Sequence, residues 1–92
     1  MANIKSQIKR NKQNEKRRLR NRIFTGRART FVRRARQAIE EGEVQDARQA
    51  TRAAISALDR AAEKGVIHKN NAARRKSRLM RRLADLEKQA AE

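Results

Sequence analysis

The feature that most limits the fold of this chain is its lack of helix breakers and of strand-forming patterns. Proline is absent from all 92 residues, and only three glycines occur. Alanine, arginine, lysine, glutamate and glutamine, which form helices readily, dominate the composition. No stretch sustains the alternation of apolar and polar residues that is typical of a half-buried strand. The sequence therefore predicts an all-α fold.

Two glycines divide the chain into three predicted helices. Gly42 and Gly65 each follow a helix-like stretch, at the position where helices commonly end. We expect helices over residues 6–40, 44–64 and 70–90, and their apolar faces predict a three-helix bundle with short turns. Those faces comprise Phe24, Ala28, Phe31, Val32, Ala35 and Ile39 in the first helix, Val44, Ala47, Thr51, Ala54, Ile55, Leu58 and Ala61 in the second, and Ala72, Leu79, Met80, Leu83, Leu86 and Ala90 in the third.

Positive charge is concentrated at the two ends of the chain. The formal net charge is +16, to which residues 1–40 contribute +12 with only Glu15 and Glu40 as acids. Residues 41–66 carry −1 and residues 67–92 carry +5. Two strongly basic segments separated by a nearly neutral one indicate a protein that binds a polyanion through both of them. Nucleic acid is the first candidate.

Residues 1–22 form a predicted basic N-terminal helical arm. Their large apolar residues are only Ile4, Ile8 and Leu19, which are too few for a core face. Five cations fall within a stripe of about 80° on such a helix, and they are Lys5, Lys9, Lys12, Lys16 and Arg20. Their mutual repulsion favours an arm that is frayed in the free protein and projects beyond a single bundle domain over residues 23–92. The alternative is a solvated basic tail.

Two further basic faces are predicted on the bundle itself. The first lies opposite Phe24 and Phe31 and comprises Arg22, Arg29, Arg33 and Arg36. The second lies on the third helix and comprises Arg74, Arg75, Arg78, Arg81 and Arg82. Solvated faces have the same periodicity, but they usually intersperse acids, and the first face has none between Glu15 and Glu40. We therefore favour phosphate contact for both.

The turn before the third helix offers polar side chains of a different kind. Asn70 is a candidate helix N-cap, while His68, Lys69 and Asn70 could instead meet a phosphate at the helix N-terminus. A metal role for His68 is not expected, because the chain offers no second soft ligand. Gly26, inside the first helix, is either neutral or allows close approach of a nucleic-acid backbone.

Catalysis, metal binding and cofactor binding are not expected. The chain has no cysteine, which excludes a thiolate nucleophile. It has one histidine, which excludes most mechanisms of general acid–base catalysis that depend on histidine. Asp59 and Glu63 lie one turn apart with no base or nucleophile, and we expect them to pair with Arg60 and Lys64. No long apolar run or signal-like start occurs, which predicts a cytoplasmic protein without a membrane partner.

The kind of nucleic acid is left open by composition alone. Both aromatic residues lie on the predicted core face, and no zinc-finger, helix-turn-helix or leucine-zipper pattern is present. Binding is therefore expected to depend on phosphates and shape, which suits folded RNA and compacted DNA equally. A membrane-active helix would need an apolar face that residues 1–22 lack.

Particular residues favour RNA. The start of the chain, the Glu15–Arg17 step, Arg29–Phe31, Ala38–Glu40 and above all the stretch DRAAEKGVIHKNNAARRKSRL at 59–79 resemble the bacterial small-subunit ribosomal protein S20 family. The resemblance covers nearly the whole chain. It implies a three-helix bundle with an extended first helix, direct binding to 16S ribosomal RNA early in assembly, and other ribosomal components as partners. It implies no catalysis, no cofactor and no homo-oligomer. The contacts implied by position are Asn3, Lys5, Ser6, Lys9, Arg10, Lys16, Arg17, His68, Lys69, Asn70, Arg74 and Arg75.

Overall fold

Three helices account for nearly all of the chain. The computed structural model describes residues 2–91, with side chains from Ile4 onward. Helix α1 spans Ala2–Glu41, α2 spans Val44–Glu63 and α3 spans Lys69–Ala91. No strand occurs in this described range, so the all-α class and the long first helix are confirmed. The helix limits differ from the predicted ones by at most four residues.

Both interhelical turns use a glycine in the left-handed region. Gly42 has φ 84° and Gly65 has φ 73°, as expected for residues that follow a helix end. After α2, the Gly65 amide donates to the Ala62 carbonyl (3.0 Å) and the Val66 amide donates to the Ala61 carbonyl (2.9 Å). This pair of bonds is a Schellman motif, which satisfies two carbonyls at the end of α2. The chain then reverses within five residues and enters α3.

The core is built largely from alanine, which lets the helices approach closely. Leu58 and Thr51 are the largest fully buried side chains, and both belong to α2. The buried apolar residues are Ala28, Val32 and Ala35 of α1, Ala47, Ala54, Leu58 and Ala61 of α2, and Ala72 and Leu79 of α3. Helix α2 lies between the other two, because α1 and α3 contact it more extensively than they contact each other.

Two expectations about the core were wrong. Met80 was placed beside the α3 apolar face but is 57% exposed, and Ala90 is also exposed. Met80 directly follows the buried Leu79, so it is rotated by about 100° from the packed face of α3. Phe24 and Phe31 are half-buried rather than enclosed, because the α2 residues opposite them are small.

A hydroxyl group is buried at the centre of α2 without a partner. Thr51 is 1% exposed, and its Oγ1 has no hydrogen bond to any described residue. Burial of an unsatisfied hydroxyl costs about 1–3 kcal/mol. We therefore expect Thr51→Val to raise the free energy of unfolding by about 1 kcal/mol, which corresponds to about 4–8 °C in the melting temperature of a domain of this size.

The control for this substitution is Thr30→Val, because the Thr30 hydroxyl is satisfied. Its Oγ1 donates to the Gly26 carbonyl at 2.9 Å at a more accessible position. Thermal melts followed by circular dichroism would compare the two variants. A lower melting temperature for Thr51→Val than for the parent chain would show that the buried hydroxyl stabilises the fold.

The N-terminal half of α1 projects beyond the other helices. A 40-residue helix is about 60 Å long and a 20-residue helix about 30 Å, and the molecule measures 72 × 20 × 13 Å. Every residue from Ile4 to Ile23 is exposed, and the first partly buried residue is Phe24. The change from exposed to packed therefore falls close to the predicted limit between the arm and the bundle.

Fraying of the arm in free protein stays a prediction that amide hydrogen exchange would test. Residues 4–20 have like charges on one stripe and no tertiary packing to hold the helix. We expect their amides to exchange within about tenfold of the unprotected rate, while those of residues 47–61 are protected by the global stability of the bundle. Strong protection before residue 20 would contradict the expectation.

Candidate nucleic-acid interface

A straight ridge of cations runs along the arm. Helix α1 is unbroken, so a rotation of about 100° per residue applies from its start to its end. The residues that share the resulting stripe of about 80° are Lys5, Lys9, Lys12, Lys16 and Arg20, and all five are exposed. We call this set the lysine ridge. Glu15, the one acid of the arm, lies about 60° outside it.

A second group on the arm points in the direction of the bundle. Ser6, Arg10 and Arg17 fall on the same side of α1 as Ala28 and Ala35, which contact α2 further along. These three side chains are exposed because α2 has already ended at their level. They therefore overhang the end of the bundle. Asn3 falls on the same side by sequence, but its side chain lies outside the described residues.

Three predicted contacts lie apart from both groups. Arg22, Arg29 and Arg33 are exposed on the side of α1 that faces away from the core. They lie on a different helix from the α3 residues, and no hydrogen bond or ion pair among the described side chains links the two sets. They form an outer basic face of their own.

The start of α3 is capped by a residue other than the one expected. The Asn70 amide donates to Nδ1 of His68 at 3.1 Å, and the Ala72 amide donates to the His68 carbonyl at 3.1 Å. His68 is therefore the N-cap and Asn70 lies in the first turn, so the expectation that Asn70 caps the helix was wrong. With Nδ1 accepting, the neutral imidazole carries its proton on Nε2, which is left as a donor.

The exposed cations of α3 extend from this capped end. Lys69, Asn70, Arg74, Arg75 and Arg78 are all exposed. Nε of Arg75 donates to Oδ1 of Asn71 at 2.8 Å, which orients its guanidinium along the helix. Together with His68 these five residues are called the α3 cluster.

The ion pairs of the bundle leave the predicted contacts unneutralised. Nζ of Lys76 lies 2.7 Å from Oδ1 of Asp59, and Nε of Arg48 lies 2.8 Å from Oε1 of Glu87. Asp59 thus pairs with a residue of α3. The spacing along α2 had predicted a pair within its own helix, and that prediction was wrong. No predicted contact cation with a described side chain forms an ion pair, so the positive charge of the lysine ridge, the outer basic face and the α3 cluster is available to a partner.

A groove between α1 and α2 was missed by sequence reasoning. It is open, encloses about 780 Å³, and is lined by Phe24, Phe31, Arg27, Arg34 and Arg60 among others. Arg27 and Arg34 fall within the same stripe as the lysine ridge, which continuation of the helical arithmetic past residue 20 would have found. Arg60 joins them from α2, and only the docking of the helices could place it there.

Comparison with known proteins agrees with this arrangement. The ribosomal protein S20 family matches residues 2–84. The chain belongs to the ribosomal protein S20 family. A small ribosomal subunit protein bS20 from Thermomicrobium roseum is 53% identical over 88 residues, covering 96% of this chain and 89% of the relative. The Streptomyces griseus bS20 is 54% identical over 87 residues, with 95% and 99% covered, and the Thermobifida fusca bS20 is 52% identical over 91 residues, with 99% of each chain covered.

The match covers all the basic surfaces of this S20-family protein. Residues 2–84 include the lysine ridge, the outer basic face and the α3 cluster. None of the helices described for residues 2–91 has the length and apolarity needed to cross a membrane. Within the same residues no group of histidine and acidic side chains is arranged as a metal site.

Proposed function

We propose that this protein is a structural constituent of the small ribosomal subunit that binds 16S ribosomal RNA directly through its phosphates. The observation that carries the proposal is the family membership together with unpaired cations on separate surfaces of one small fold. Its place is then the ribosome of the cytoplasm. Its contribution is to stabilise RNA packing during assembly, with no catalytic step.

The separate surfaces support a role in holding RNA segments together. The lysine ridge follows the helix for about 23 Å from Lys5 to Arg20, which matches a run of successive phosphates along one RNA strand. The α3 cluster begins at the N-terminus of α3, on a different helix from the ridge, so a second RNA segment can meet the bundle there. Cations that bridge two segments replace the condensed counterions that otherwise accompany packed RNA helices.

The net charge of +16 also argues for a monomer. Two copies would bring like-charged surfaces together, which is unfavourable without a polyanion between them. Other ribosomal components are then neighbours within the assembled subunit and not partners of the free chain.

Competition between RNA and DNA tests the proposal against a histone-like, DNA-compacting role. The full-length protein is mixed with labelled, protein-free small-subunit ribosomal RNA, and unlabelled duplex DNA or unlabelled ribosomal RNA is added. We expect ribosomal RNA to compete at least tenfold better than duplex DNA of equal phosphate content. Equal competition would overturn the proposal, because phosphate attraction alone does not distinguish the two polymers.

A further inference from the structure

The α1–α2 groove combines an aromatic wall with small residues opposite it. Phe24 and Phe31 of α1 are half-buried and line one side, while Ala53, Ser56 and Ala57 of α2 line the other. Because these α2 residues are short, the two phenylalanines are not covered from that side. The open volume of about 780 Å³ results from this mismatch in side-chain size.

Arginines surround the apolar walls of the groove. The guanidinium carbon of Arg34 lies 5.6 Å from the centre of the Phe31 ring, in cation–π range. Arg27 and Arg60 lie beside it from α1 and α2. No acidic residue is found among the described residues that line the groove, which favours an occupant that is anionic or attached to an anion.

The groove continues the lysine ridge. Arg27 and Arg34 have the same angular position on α1 as Lys9 and Lys16, and the unbroken helix connects them in a line. A polyanionic strand that follows the ridge therefore reaches the groove without changing direction. An acidic peptide could satisfy the arginines, but it would not explain the continuity with some 23 Å of ridge on the part of α1 that is exposed from Ile4 to Ile23.

We propose that the groove takes an unstacked nucleobase of the bound RNA, an inference that rests on the proposed function. The base inserts between the phenylalanines of α1 and the small residues of α2, while Arg27, Arg34 and Arg60 hold the adjoining phosphates. Aromatic side chains bind single-stranded bases by stacking, without regard to sequence. The groove therefore adds a base contact to a protein whose other contacts are to phosphates.

Filling the groove without changing the charge tests this assignment. Ala57→Leu adds a side chain that projects into the groove, and Ala84→Leu makes the same change at an exposed position of α3. We expect Ala57→Leu to weaken binding to protein-free small-subunit ribosomal RNA about tenfold or more, with the salt dependence unchanged because the phosphate contacts remain. Ala84→Leu should bind as the parent does. Circular dichroism would verify that both variants keep the helical fold.

Ultraviolet crosslinking of the parent complex supplies an independent readout. A stacked base should crosslink to the tryptic peptides that carry Phe24 and Phe31, which span residues 23–27 and 30–33. The crosslinks should be lost in Ala57→Leu and kept in Ala84→Leu.

Three other outcomes would contradict base insertion, the proposed function, or both. Unchanged affinity of Ala57→Leu, with no crosslink to either peptide, would overturn base insertion while leaving the proposed function intact. An acidic amphipathic peptide that binds the RNA-saturated protein, and is blocked by Ala57→Leu, would assign the groove to a protein partner instead. Failure of the parent chain to prefer ribosomal RNA would overturn both proposals.

Discussion

Replacement of Lys5, Lys9, Lys12 and Lys16 by glutamate is expected to reduce affinity for small-subunit ribosomal RNA about a thousandfold. Each contact between a lysine and a phosphate contributes about 1 kcal/mol, so four lost contacts amount to about three powers of ten. The bundle should remain folded, because none of the four side chains is buried. Binding would be measured by filter retention and folding by circular dichroism.

The matched control reverses four exposed cations that belong to none of the predicted contact sets, namely Arg18, Arg52, Lys64 and Lys88. Both variants have the same net charge, so a general loss of attraction would weaken them equally. The account expects the arm variant to lose far more affinity than the control. Equal losses would mean that the lysine ridge is a solvated face and contributes only to the overall charge.

Salt is expected to weaken RNA binding steeply. Neutralisation of six or more phosphates gives a slope of about −4 or steeper in a plot of log K against log salt concentration. Between 50 and 200 mM monovalent salt, a slope of −4 corresponds to about a 250-fold loss of affinity. The parent chain would be titrated at several salt concentrations with magnesium held constant, so that the RNA fold does not change.

The same salt titration would be repeated with the arm variant, in which Lys5, Lys9, Lys12 and Lys16 are replaced by glutamate. If the four lysines each neutralise one phosphate, its slope should be shallower than that of the parent by about 3. A parent slope near −1 would rule out a binding mode dominated by phosphates. An unchanged slope in the arm variant would place the phosphate contacts elsewhere on the protein.

The helices could be predicted from sequence because each local signal agreed with the fold. Gly42 and Gly65 mark the two helix ends, and both adopt the positive φ that makes glycine favourable there. The narrow apolar seam of α2 identified Thr51, Ala54 and Leu58, which are buried as expected. Periodicity also placed the lysine ridge, since it depends only on the rotation per residue along one continuous helix.

Features that depend on tertiary contacts could not be predicted. Propensity made Asn70 a candidate cap of α3, but the turn brings His68 Nδ1 to the Asn70 amide. Asp59 was expected to pair within its helix, whereas docking of α3 supplies Lys76 at 2.7 Å. The groove depends on the relative position of α1 and α2, which brings Arg60 to the groove that Arg34 also lines. The spacing of residues along one helix does not predict which residues of another helix or of a turn will contact them.

The structure bears on why a glycine occupies position 26 inside a helix. A Cβ added there would meet no atom of the described protein within 4 Å, so packing within the chain does not require glycine. Gly26 lines the groove, so a Cβ added there would meet only a bound partner, and the choice between a neutral glycine and one that allows close approach stays a prediction to be tested.

Sedimentation of a cell extract tests the central claim most directly. The full-length protein, carrying a small C-terminal tag, is followed through a sucrose gradient at low magnesium, at which ribosomes separate into subunits. The account predicts that the parent chain migrates with the small subunit and that the four-lysine variant remains at the top of the gradient. Migration of the parent chain with the large subunit, with DNA, or with no particle would contradict it.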